Sequence, residues 1–94
     1  MIERDEYIAK LEAAHTFPGP YEFKLFGPND DEFEAAVRDK VQENLPHGQP
    51  QYSKRTSGKD KHQCITVTAH VASAQKVVDL YAELHTIERL KMLM

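Results

Sequence analysis

Ninety-four residues make one domain with a small core, because a chain this short buries only about 60–65% of its unfolded surface. A formal charge of -3 argues against a general nucleic-acid binder. No apolar run approaches the ~20 residues of a membrane helix, so no membrane span is expected. The N-terminus is charged throughout and has no apolar signal core, and the single Cys64 has no partner for an internal disulfide. Both features lead us to expect a cytoplasmic protein.

Residues 2–14 read as a helix. Tyr7, Ile8 and Leu11 share one narrow stripe, and Glu3, Asp5 and Glu6 lie near the positive end of its dipole. Two prolines between His15 and Pro20 break it. Tyr21 to Phe26 alternates as a first strand, with Tyr21, Phe23 and Leu25 pointing one way and Glu22, Lys24 and Phe26 the other. Gly27-Pro28-Asn29 reads as a turn. Asn29 or Asp30 caps a second helix with the apolar stripe Phe33, Ala36, Val37, Val41 and Leu45, ended by Pro46 and Gly48. A polar, basic edge strand is expected over 51–57, with a turn at Ser57-Gly58.

Lys61 to Val71 follows as the clearest strand of the chain. Ile65, Val67, Ala69 and Val71 fall on one face; His62, Cys64, Thr66, Thr68 and His70 fall on the other. Ser73 caps a third helix whose face carries Ala74, Val77, Val78, Tyr81 and Leu84. A last strand is read over Ile87 to Met94, with Leu90, Met92 and Met94 toward the core, although Ile87 is out of phase with that set.

Without its first helix this order is the split pattern of an α+β, ferredoxin-like βαββαβ sandwich: an antiparallel four-stranded sheet with two helices on one face. Residues 1–15 are then an N-terminal helical extension and 16–94 a single ferredoxin-like domain. The uncovered sheet face carries Glu22, Lys24, Phe26, Cys64, Thr66, Thr68, His70 and Lys91, and the N-terminal helix is a candidate to cover it.

Candidate chemistry is sparse. His62 and Cys64 share a strand face, but a structural zinc site takes about four ligands, and His70 lies ~20 Å along the strand from Cys64. No metal and no cofactor is expected. Cys64 has no base in its pattern, so a Cys64-dependent enzyme remains an alternative without a constellation to support it. The acids following Gly27-Pro28-Asn29 disfavour phosphate at that helix start. The strongest candidate is the basic loop. Lys54, Arg55, Lys59 and Lys61 against Asp60 leave three net positive charges in eight residues, so the other 86 carry six net negative ones. Lys24 and Lys91 extend this candidate anion or acidic-partner surface. Single-stranded RNA binding by the sheet is a further alternative, with Phe26 as the only aromatic placed to stack a base.

Several motifs occur in a characteristic order: Phe17-Pro-Gly-Pro-Tyr-Glu-Phe-Lys-Leu-Phe-Gly27, Ser53-Lys-Arg-Thr-Ser57 with Gly58-Lys59, Thr66-Val-Thr68, Ser73-Ala74, Leu80-Tyr81 and Lys91-Met-Leu93. In combination, over residues 16–94, they resemble the YbeD-like family of small bacterial proteins of unknown function. The resemblance implies an ACT-related fold, no established enzymatic activity, a tendency to pair as a homodimer, and a proposed regulatory link to lipoate metabolism. The expectation is therefore a non-enzymatic regulatory or adaptor domain that binds a protein partner or a small anionic ligand.

Overall fold

The computed structural model describes residues 3–56, 59 and 61–94. Its elements are α1 (Arg4–Ala14), β1 (Gly19–Pro28), α2 (Asp31–Asn44), β2 (Gln51–Thr56), β3 (His62–Val71), α3 (Ala74–Leu84) and β4 (Met92–Leu93). The expected Ser57-Gly58 turn lies outside the described residues. The four strands form one antiparallel sheet in the order β2-β3-β1-β4. The two longest strands therefore occupy its centre, where apolar alternation is strongest. α2 and α3 pack on one face, which makes the α+β sandwich expected from the pattern.

The core is that single interface. Phe23 and Leu25 of β1 lie opposite Val67 and Ile65 of β3. Phe33, Val37 and Val41 of α2 cover them with Ala74, Val77, Leu80 and Leu84 of α3, all at most 2% exposed. Leu80 takes the inward position on α3 that the sequence pattern gave to Val78 and Tyr81. Those two are half-buried at the edge of the core. There α1 packs against α3, with Leu11 buried and Arg4 paired to Asp79. The Tyr81 ring lies edge-on to Tyr21 and Phe23, with centroids 6.3 and 5.0 Å away. Burial, and then the Tyr21 hydroxyl 3.3 Å away, push the Tyr81 phenol well above its ordinary range. Of the places open to it, α1 therefore does not take the candidate one over the open sheet face: it extends the helical layer.

Two further expectations change. Gly27 and Pro28 are not a turn but the last residues of β1, opposite Gln63 and His62. The strand continues because Gly27 has no side chain and lets the Phe33 ring lie directly on it; a Cβ there would stand 2.3 Å from Phe33 Cζ. At the other end, the strand expected over Ile87 to Met94 shrinks to Met92–Leu93. The chain keeps turning after α3 through the bonds Thr86 N to Glu83 O and Ile87 N to Leu84 O, both 3.1 Å, and Arg89 adopts a left-handed φ of 67°. Ile87 is buried by this turn rather than by a strand. The phase of β4 is consequently reversed. Leu93 packs toward the core, while Met92 and Met94 are 51% and 59% exposed.

The turn at Arg89 is tied to the start of α2. Asp30 is the cap of that helix, its Oδ1 accepting from Phe33 N at 2.8 Å, and the Arg89 guanidinium donates to the same carboxylate at 2.7 and 3.3 Å. Arg89, and after it the Phe33 N–H, hold the Asp30 carboxyl below its usual range. A depressed acid stabilises the fold above its unfolded pKa and loses that contribution as pH falls through the folded value. Asp30→Asn should therefore narrow the stability difference between pH 6 and pH 3 relative to wild type. Urea unfolding at the two pH values measures it, and an unchanged difference would exclude the Arg89 contact as the cause.

Candidate functional site

The alternation that buries one side of the sheet determines what the other side presents. The strand register sets up cross-sheet rows on the open face. One runs Arg55, Cys64, Phe26, Met92; the next runs Ser53, Thr66, Lys24, Met94; a third runs Gln51, Thr68, Glu22. Met94 is placed by its paired backbone bonds with Lys24, both 2.8 Å. Phe26, Cys64, Thr66 and Thr68 are half-buried by their neighbours in the sheet. Among the described residues, Phe26 is the only Phe or Tyr on this face. Phe26, Met92 and Met94 make a small apolar patch toward β4.

The charge on this face is unlike that of the rest of the molecule. Of the fourteen acids among the described residues, Glu22 alone belongs to the open face. Asp60 lies outside the described residues. The remaining thirteen sit on the helices, at their caps or, for Glu88, in the turn that follows α3. The open face instead carries Lys24 and Arg55, with His62 and His70 along β3. The domain is therefore electrically two-sided, with an acidic helical layer behind a weakly basic sheet.

The six basic residues singled out in the sequence are distributed over this frame rather than gathered. Arg55 is on the open face at the β2 edge, and Lys24 is near its centre, 3.8 Å from Glu22. Lys54 alternates to the opposite side of β2, where its Nζ lies 3.0 Å from Glu34 of α2. Tyr52 lies beside it under the Arg38 guanidinium, 4.2 Å from the ring centroid. Burial raises the Tyr52 phenol pKa, against the opposing effect of Arg38. That side of β2 holds α2 in place. Lys59 and Lys61 are exposed in the hairpin, and Lys91 immediately precedes β4, its N–H donating to Phe26 O at 2.7 Å.

Two open grooves lie at the margins of the sheet. One of about 450 Å3 runs between α1, α3 and the end of β4, lined by Tyr7, Val78, Tyr81, Leu93 and Met94. Another of about 510 Å3 lies where α2 ends and α3 begins, beside His47, His70 and Lys76. Cys64 is half-buried between Arg55 and Phe26, with no carboxylate or imidazole opposite it in the register. No group of three His, Cys, Asp or Glu among the described residues is arranged to hold a metal ion. No helix among them is long and apolar enough to cross a membrane.

Sequence reasoning missed Met92 and Met94. It gave them to the core on alternation alone. The signal that could have corrected it was the phase of Ile87, which fits the core only if the chain turns before β4 begins.

Solved structures share this architecture. The H. pylori protein HP0495 matches with a TM-score of 0.70 at 9% identity, over 85% of each chain. The C-terminal domain of the Mycobacterium tuberculosis MgtC protein matches at 0.60 and 16% identity, over 80% of this chain and 82% of that one. The ACT domain from the GTP pyrophosphokinase of Chlorobium tepidum matches at 0.53 and 9% identity, over 80% and 94%. At these identities the likeness concerns the fold, which is ACT-like. No curated protein sequence matches this chain significantly. The family described as protein of unknown function DUF493 matches residues 12–94, the span that holds the sheet, both covering helices and every motif of the YbeD-like resemblance. The chain belongs to the DUF493 family.

Proposed function

We propose that the protein is a non-enzymatic regulatory or adaptor domain whose open sheet face takes a protein partner or a small anionic ligand. One observation carries this reading: in an acidic protein, the uncovered face combines an apolar patch at Phe26, Met92 and Met94 with Lys24 and Arg55 and, among the described residues, a single acid. Exposed large apolar side chains grouped on one face mark an interaction surface more often than isolated ones do. An ACT-like fold is compatible with a regulatory role. Arg55 and Lys24 are the direct contacts in this proposal. Lys59, Lys61 and Lys91 supply the surrounding positive field, which speeds encounter with an acidic partner, while Lys54 is paired with Glu34 on the other side of β2.

A thermal melt against amino acids, nucleotides, phosphate, octanoate and lipoate tests the small-ligand form, including the lipoate connection that the family resemblance suggests. A ligand present at a hundred times its dissociation constant stabilises by about 2.7 kcal/mol, a shift of about ten degrees or more in a domain of this size. Any hit is then mapped on 15N-labelled protein. Amide shifts along Lys24, Phe26, Cys64 and Thr66 support the open face as the site. Shifts confined to the helices reject it.

A further inference from the structure

We infer that the open face docks an amphipathic helix of a partner protein whose apolar stripe is flanked by acidic residues. The inference rests on reading the open face as the binding surface and narrows what occupies it.

The geometry of the patch selects a helix. Met92 and Met94 lie two strand positions apart, about 6.6 Å. Side chains at i and i+4 of a helix are separated by about 6 Å along its axis. Two such anchors can therefore rest on the two methionines, with Phe26 about 4.8 Å across the sheet beside Met92. Methionine is flexible and polarisable, and it adapts to the branched or aromatic anchors of a partner helix. Strand addition is poorly served by comparison. It needs an open sheet edge, and β4 offers two residues, while the β2 edge carries Lys54 and Arg55.

Charge sets the flanks. A helix lying along β4 and β1 has Lys24 beside the patch and Arg55 at the far end of the Phe26 row. Among the described residues, Glu22 is the one acid on that face. Glutamates bordering the apolar stripe meet these cations, whereas lysines there meet like charges. A second copy of this chain is a poor occupant of this kind. Its α2 is the most acidic helix, but the apolar residues of that helix, Phe33, Val37 and Val41, are already buried in its own core.

The test uses the 15N-labelled protein and two synthetic helical peptides. Both carry Leu at i, i+4 and i+7; one is flanked by Glu and its twin by Lys at the same positions. The acidic peptide should shift the amides of Lys24, Phe26, Cys64, Thr66 and Met92, and its twin should not. Met92→Asp, and separately Lys24→Glu with Arg55→Glu, should weaken the acidic peptide by about tenfold or more. These side chains are exposed or on the uncovered face, so the variants should fold, and matching spectra of the unbound proteins verify it. The inference is overturned if the twins bind equally, if the shifts fall on the helical layer, or if neither binds. It is also overturned if Met92→Asp dissolves a homodimer, or if a single-stranded RNA oligonucleotide takes the face in preference. A metabolite that shifts the open face while both peptides are inert defeats the helix and leaves the binding face standing. Indifference of the face to every ligand defeats both.

Discussion

Gln63→Glu should lower stability at pH 7.5 by roughly 3–4 kcal/mol, and the loss should shrink as the pH is lowered toward 5. Among the described residues, Gln63 is the one buried polar side chain, 2% exposed. Its Nε2 donates to Pro28 O at 3.0 Å and Asp30 O at 3.3 Å, joining the end of β1 to the cap of α2. Its Oε1 has no partner among the described residues. Glutamate replaces that donor with an oxygen facing two carbonyl oxygens. Asp30 and Glu32 at the start of the neighbouring helix are both paired with Arg89, so burial is the leading effect on the new carboxyl. Desolvation favours the protonated form and raises the folded pKa by roughly 2–3 units. With the folded value raised, the variant approaches wild type below the unfolded pKa of about 4.3 and loses stability as pH rises through the folded one.

Gln63→Leu separates charge from lost hydrogen bonds. It removes both donors and the unpaired oxygen, and should cost about 1–2 kcal/mol with no pH dependence of its own. Urea unfolding of both variants at pH 5 and 7.5 measures the effect. A Gln63→Glu deficit that does not change with pH would mean that the carboxylate reaches water. In a domain stable by about 5–15 kcal/mol the expected loss is a large fraction of the total.

The sequence made most of this fold legible because its two central strands and two core helices have clean periods. Val, Ile and Thr alternation in β3, and the 3.6-residue stripe of α2, each specify a buried side without reference to the rest of the chain. The features that escaped depend on contacts distant in sequence. Gly27-Pro28 has turn composition, yet it continues β1 because the Phe33 ring occupies the space above Gly27. The turn through Arg89 contains neither Gly nor Pro. Its left-handed residue is held by Asp30, 59 positions away. That turn consumes Ile87 and Leu90, inverts β4 and places Met92 and Met94 on the open face. The basic loop was visible as charge, but charge in sequence does not give direction: Lys54 and Arg55 are neighbours that leave the sheet on opposite sides. The apolar patch at the centre of the proposed interface was hidden for the same reason that β4 was misread.

Gly27→Ala should cost about 2 kcal/mol and disturb the open face from the buried side. Replacing Gly by Ala in a strand normally favours folding by about 0.4–1 kcal/mol, because the unfolded chain loses freedom. Here the added methyl would stand 2.3–2.6 Å from three ring atoms of Phe33. That ring is 1% exposed and packed among core side chains, so it has no free direction in which to turn. Overpacking of this kind costs about 1–3 kcal/mol and outweighs the entropic gain. The strain has two outlets, a tilt of α2 or an outward displacement of β1. The second carries Phe26 and its Met92 partner with it. Urea unfolding gives the stability change, and the amide shifts of Phe26 and Met92 report the displacement. Phe33→Leu in the Gly27→Ala background should recover part of the loss, although alone it should destabilise. That opposite sign is the coupling expected of two groups competing for one space. If Phe33→Leu costs the same in both backgrounds, the ring is not what excludes a side chain at Gly27. A recovered stability with Phe26 and Met92 returned to their wild-type shifts would show that Phe33 on one side of β1 sets the shape of the binding patch on the other.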